Sequence, residues 1–463
     1  PARATPRHER QGEGRGVMEE EIPQPATANR GLRAAVAAVA SIAVFALVAV
    51  AVIALQRGDG GKADQGSPAD TGRVSLTKAD LARLVADHAS ALRAKDESAF
   101  LAPFSGTAKD GQRRTYANLQ KVPFKETGFE IRRTNGRLEN SFGGGVKVEL
   151  DVAFVHQLEG VDATPVQEGY RWTVEQKSAK DRPVVTAVAG MPYTKLRPDD
   201  ADQFVAYPAP WDLYPDLRVT RTAHIVLMNS AEQDSAARAA APRLEQAAQN
   251  LLSTWRSKGP QGQPVAPGFA LTLEPDATKF ATLYGQGGRA GGEAGIAVEM
   301  QRPHALDRPF GGSRLLVKDP AVRVGTHEMT HAMLMPLTGK IQVTGLGGTQ
   351  NWVIEGIAEY LAGGGLDDRG GLSALRRTGF TGRLPEQLMF YGGNATRQAA
   401  NYELGRLALK FMADKYGEDK MFAFVAAQYA EPDSLDRQIK DATGLDTAAF
   451  TSAWADYVRS TLK

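Results

Sequence analysis

Two of the seven histidines in this 463-residue chain stand four residues apart, in Gly325-Thr326-His327-Glu328-Met329-Thr330-His331. On a helix, four residues make just over one turn, so both imidazoles project from one face and can share a metal ion. Glu328 sits one step round the helix, beside such an ion but not on it, where a carboxylate can take a proton from a bound water. The pattern is H-E-x-x-H, in which two histidines bind zinc and the glutamate serves as general base. Two histidines in an ordinary amphipathic helix are the alternative, which leaves three polar side chains without a task among Val322, Val324, Met329, Ala332, Met333 and Leu334. No Gly or Pro interrupts residues 326–335, and Asp319-Pro320 upstream is a helix-start signal.

Zinc on two histidines needs a third protein ligand and one position left for water. Downstream, Asn351-Trp352-Val353-Ile354-Glu355-Gly356-Ile357-Ala358-Glu359-Tyr360 reads as a second helix, with Glu355 embedded among apolar neighbours. Burying that carboxylate alone is costly and pushes it to protonate; a cation beside it removes the difficulty. H-E-x-x-H followed by W-x-x-E-G-x-A-x-Y resembles the gluzincin zinc metallopeptidases, the thermolysin-like and aminopeptidase-like group. The resemblance covers roughly residues 217–463. It implies one zinc per chain on His327, His331 and Glu355, with Glu328 as catalytic base. The 23 residues between His331 and Glu355 are somewhat more than in the aminopeptidases, and the extra length falls in the Gly-rich stretch 337–350. No His follows His331, which rules out the metzincin type with its third histidine.

The same resemblance gives Glu359, one turn after Glu355, the place of the carboxylate that holds a ligand histidine by its outer nitrogen. A solvated surface glutamate is the other reading. Tyr402, opening Tyr402-Glu403-Leu404-Gly405, is similar to the gluzincin tyrosine whose hydroxyl meets the tetrahedral intermediate, with a packed core aromatic as its rival and Tyr391 and Tyr360 next in line. Ser313–Asp319 is placed like the strand at the edge of the zincin sheet. The implied reaction is hydrolysis of a peptide bond in a peptide or protein substrate. A catalytically latent zincin-fold module that recognises a cell-envelope component is the rival function.

Around this site the sequence predicts α+β architecture: a zincin-like domain at 196–463, a mixed sheet followed by a mostly helical half, preceded by a smaller cystatin- or NTF2-like α+β domain at 76–195. In the smaller domain Thr77 is a helix N-cap, His88 lies on a packed helix face, and alternating runs begin near Phe129, Val146, Tyr170 and Pro183. Prolines 192, 198, 208, 210 and 215 mark the boundary. Beyond it, residues 218–228 read as one strand and 231–256 as a long Ala-rich helix. Gly285-x-Gly287-x-x-Ala290 is a weak dinucleotide fingerprint and reads better as a loop.

Ahead of both domains, Ala34–Leu55 is 22 residues without a charge, about 33 Å long as a helix and enough to cross a bilayer. Gln56-Arg57-Gly58 follows it in place of a small-x-small cleavage site, so an uncleaved transmembrane helix is expected, with a polar unfolded tail at 1–33 and a flexible linker at 56–75. The expected location is a cell membrane, single-pass, with the catalytic domain outside the cytoplasm. Lys plus Arg number 55 and Asp plus Glu 53, a formal net charge of +2, which gives no field for steering toward nucleic acid. With no Cys, disulfides, thiolate metal sites and thiol nucleophiles are excluded.

Overall fold

The computed structural model describes residues 74–140, 144–191, 206–287, 293–304, 310–338, 348–363 and 369–463. The expected transmembrane helix at 34–55, the tail before it and most of the linker lie outside the described residues. Among the described residues, no helix is long and apolar enough to cross a membrane.

Thr77 and Asp80 cap each other's backbone N–H groups and so start helix α1 (Lys78–Ala94). Its inner face carries Leu81, Leu84, Val85, His88 and Leu92. His88 is fully buried against Phe100, Phe129 and Trp172, with Nδ1 3.0 Å from the Phe100 carbonyl. Burial holds its pKa down to about 3, so it is a neutral packing residue, as its position on the helix face predicts. Helix α2 (Gly106–Leu119) completes this side. Both helices lie against an antiparallel meander of β1 (Phe124–Asn135), β2 (Val146–Leu158), β3 (Val166–Gln176) and β4 (Val184–Gly190).

The stretch 218–228, expected as one strand, is a hairpin of β5 (Leu217–Arg221) and β6 (Ile225–Ser230). No Gly or Pro signals the turn, because it is closed from a distance. The Glu245 carboxylate of helix α3 (Asp234–Lys258) accepts from the Thr222 hydroxyl at 2.6 Å and the His224 N–H at 2.9 Å. Strands β7 (Phe269–Leu273), β8 (Gly295–Gln301) and β9 (Phe310–Val317) complete a five-stranded sheet in the order β8-β9-β7-β6-β5. Strands β6, β7 and β9 run parallel, while β5 and β8 pair antiparallel at the two edges. This corrects the expectation for Ser313–Asp319: most of it lies in β9, paired on both sides and therefore interior, and the edge beside the H-E-x-x-H helix is β8.

Alternation along this sheet feeds two cores. Ile225, Leu227, Phe269, Leu271, Leu315 and Val317 face a helical layer, while Val226, Met228, Ala270 and Leu316 face the first sheet. The helical layer comprises α3, α4 (Val322–Leu334), α5 (Asn351–Leu361), α6 (Arg369–Thr378), α7 (Ala395–Tyr416), α8 (Glu418–Ala430), α9 (Leu435–Thr443) and α10 (Thr447–Leu462). Strands first and helices after make the α+β order expected of this half.

The core between the sheets crosses the proline-rich boundary, joining Trp172 and Val185 to Trp211, Met228 and Leu316. Asn118 donates to the Trp211 and Tyr214 carbonyls and accepts from the Leu217 N–H. Fully buried Arg314 of β9 makes a bidentate pair with Asp162 at 2.7 and 2.8 Å and lies 3.1 Å from His156 Nε2. Residues 70–463 accordingly form one compact unit.

Candidate metal centre

Helix α4 starts where the Asp319 carboxylate accepts the Ala321 N–H at 2.6 Å. Its apolar residues Met329, Ala332, Met333 and Leu334 pack into the helical core, and Thr326 and Thr330 return their hydroxyls to carbonyls one turn back. That leaves His327, Glu328 and His331, with Arg323 one turn earlier, as the polar side chains of α4 turned to a cleft of ≈ 900 Å³ bordered by β8, α4, α5 and α7.

Helix α5 brings the third group. Trp352, Val353, Ile357 and Ala358 bury its other faces, and Glu355 is held 6% exposed at the cleft. Glu355 Oε2 lies 3.1 Å from His327 Nε2 and 3.4 Å from His331 Nε2, and the two Nε2 atoms are 3.0 Å apart. One ligand atom from each of these three residues lies within 4.8 Å of the others, so the group can hold a metal ion. Two imidazoles and one carboxylate form a donor set that suits such an ion.

The approach of α5 to α7 depends on two glycines. A Cβ at Gly405 would stand 2.5 Å from the Trp352 carbonyl oxygen, and one at Gly356 would stand 2.6 Å from the Gly405 carbonyl. Only bare backbone permits that crossing, which sets Glu355 and Tyr402 in the same cleft. Gly295 on β8 does a similar job for Glu328: a Cβ there would lie 2.7 Å from Glu328 Oε1, so the carboxylate rests directly on the edge strand.

Among protein groups alone, burial disfavours the His327 imidazolium, but hydrogen bonds to Glu355 and Glu359 and the Glu328 charge outweigh it and carry the pKa up to about 10. Burial likewise pushes Glu355 upward, and the two imidazoles overcome it, leaving the carboxyl well below the usual range. This is the balance of a carboxylate built to stay ionised beside positive charge. Glu328 goes the other way, raised by burial with His327 and His331 pulling back only part of the shift. Such a carboxyl holds a proton more tightly than an ordinary surface glutamate.

Glu359 is 3.0 Å from His327 Nδ1 through Oε1 and is itself paired with Arg323. It holds the outer nitrogen of a candidate ligand histidine, which leaves Nε2 to face the other ligands. Tyr402 stacks its ring over His327, centroids 6.1 Å apart at 27°, and among the described residues its hydroxyl has no hydrogen-bond partner. Burial, then the charge of Glu355, raises its pKa, so the phenol stays protonated. Of the fallback tyrosines, Tyr360 is committed to Glu418 at 2.8 Å and does not line the cleft. Tyr391 does line it, but donates to Glu355 Oε1 at 2.5 Å. Sequence reasoning named Tyr391 only as a spare oxyanion donor. Its contact to Glu355 comes from a turn 36 residues away, with no periodic signal to announce it.

Comparison with models of known protein families and with curated proteins gives no match to this chain.

Proposed function

We propose that the protein is a zinc-dependent peptidase of the gluzincin type, tethered to a membrane by residues 34–55 with its catalytic part outside the cytoplasm. The observation that carries this reading is the convergence of His327 and His331 from α4 with Glu355 from α5, beside a buried glutamate and an edge strand. A mixed sheet followed by helices supports the zincin reading, and two long helices with a five-residue one between them, against a four-stranded meander, support the cystatin- or NTF2-like one.

Zinc held by His327, His331 and Glu355 would supply Lewis-acid polarisation of a carbonyl and acidify a water to a pKa of about 7. Glu328 receives the proton of the attacking water and delivers it to the leaving amine, a double duty that its raised pKa suits. The uncommitted Tyr402 hydroxyl donates to the carbonyl oxygen as negative charge builds there. Glu359 fixes His327 through Nδ1, and Tyr391 fixes Glu355 through Oε1, so Oε2 stays turned to the histidines. β8 is an edge strand, paired to the sheet on one side, along which an extended peptide can add, and the lack of a side chain at Gly295 leaves room next to Glu328. That edge is why a peptide is favoured as substrate.

The test is cleavage of a peptide library by the full-length protein before chelation, after chelation and after return of zinc. Cleavage should vanish and come back. Cleavage indifferent to chelation would remove the metal from the mechanism, and one bound zinc with no cleavage of any peptide would favour the latent binding module.

A further inference from the structure

We propose that Leu388 and Met389 form a rigid apolar wedge that seats in an anionic lipid surface and turns the mouth of the cleft toward the bilayer. The proposal rests on reading residues 34–55 as a membrane anchor and does not depend on the peptidase reading.

Among the described residues, the exposed large hydrophobics are Leu388 at 78%, Met389 at 60% and Tyr391 at 47%, all within four positions of one another. Scattered surface leucines need no explanation, but this concentration at the rim of a cleft does. Gln387 and Tyr391 line that cleft, so the exposed pair lies at its lip. The turn is not a loose loop. Gln387 accepts from the Asn351 backbone N–H at 2.7 Å and donates to the Thr349 carbonyl, Asn401 donates to the Phe390 carbonyl, and Phe390 is fully buried. Pinned on both sides, the backbone holds Leu388 and Met389 outward at the cost of apolar exposure to water.

Two features favour lipid over a protein partner. Leu388 and Met389 lie on a one-turn helix, Gln387–Met389, and are 78% and 60% exposed, a small protruding apolar tip of the size that inserts between headgroups. The segment around them is cationic: residues 376–397 hold Arg376, Arg377, Arg383 and Arg397 against Glu386 alone, and all four arginines are exposed. Among the described residues no carboxylate pairs with Arg377, Arg383 or Arg397, which leaves them available to anionic headgroups.

Because the chain has no Cys, single-cysteine labelling is clean. Full-length Leu388→Cys, Ser41→Cys and Asp110→Cys each carry one fluorophore and are reconstituted in phosphatidylcholine vesicles, with and without phosphatidylglycerol, containing nitroxide-labelled lipid. The probe at 388 should be quenched several-fold more than the probe at 110, and the excess should fall on removing phosphatidylglycerol or introducing Arg383→Glu with Arg397→Glu. Equal quenching at 388 and 110 overturns the wedge; if 41 is then quenched, the anchor stands without it, and if 41 is silent, both fall together. A probe at 388 shielded from aqueous iodide yet beyond reach of the lipid nitroxide would overturn lipid in favour of a protein occupant.

Discussion

Tyr391 and Tyr402 share one cleft but carry different commitments, and substitution separates them. Tyr402→Phe removes a hydroxyl free to meet developing charge, so kcat should fall about 10²-fold or more with zinc content and melting temperature nearly unchanged. A Tyr402→Phe enzyme with normal kcat would reduce Tyr402 to a ring packed on His327. Tyr391→Phe instead frees Glu355 Oε1, and zinc affinity should weaken about 10–100-fold, the usual effect of losing a partner behind a ligand. A zinc-binding titration of the two variants distinguishes the roles, and equal affinities would contradict the assignment. At this scale the sequence was legible wherever helical spacing carries the message. His327, Glu328 and His331 share one turn, and Glu355 and Glu359 share the next helix. Tyr391 was not, because it reaches Glu355 from an isolated turn whose position depends on burying Phe390.

The elements around the site are positioned by backbone approach, and the glycines test that directly. Gly295→Ala drives a methyl onto the Glu328 carboxylate, so turnover should drop about 10²-fold while metal is retained. Gly405→Ala meets the Trp352 carbonyl oxygen, which no rotamer change relieves; the separation of α5 from α7 should cost about 1–3 kcal/mol or more and weaken zinc binding through Glu355. Melting curves and zinc titration on both variants read the two effects, and a Gly405→Ala protein as stable as wild type would mean the crossing is looser than it looks. Helix α4, the long helix α3 and the strands of the first sheet followed from periodicity. Which strand forms the sheet edge did not, because that depends on pairing order, set by crossovers that leave no local pattern. The β5–β6 hairpin escaped for a related reason, its turn being closed by Glu245 more than twenty residues downstream.

Across the whole molecule, the proline-rich boundary visible in the sequence separates two sheets that share one core, so residues 74–463 should unfold in a single calorimetric transition. Two resolved transitions would instead make 76–195 a separately folding domain, ending at the proline-rich boundary. Asp162→Ala would strand the buried Arg314 guanidinium and should cost about 3–5 kcal/mol. The same interior makes a pH prediction. Burial raises the Asp212 carboxyl to about 7, so the folded state binds a proton that the unfolded chain releases near 4. Stability from this group is therefore full below about pH 4 and declines as pH rises through about 7, and Asp212→Asn should flatten that part of the profile in denaturant titrations. The claim on which the functional account turns is that metal binding and proton transfer belong to different side chains of one site. Elemental analysis and peptide turnover measured together on wild type, Glu355→Ala and Glu328→Gln test it most directly. The account predicts one zinc per chain in wild type and Glu328→Gln, little in Glu355→Ala, and turnover in wild type alone. Full zinc in Glu355→Ala, or wild-type turnover in Glu328→Gln, would contradict it.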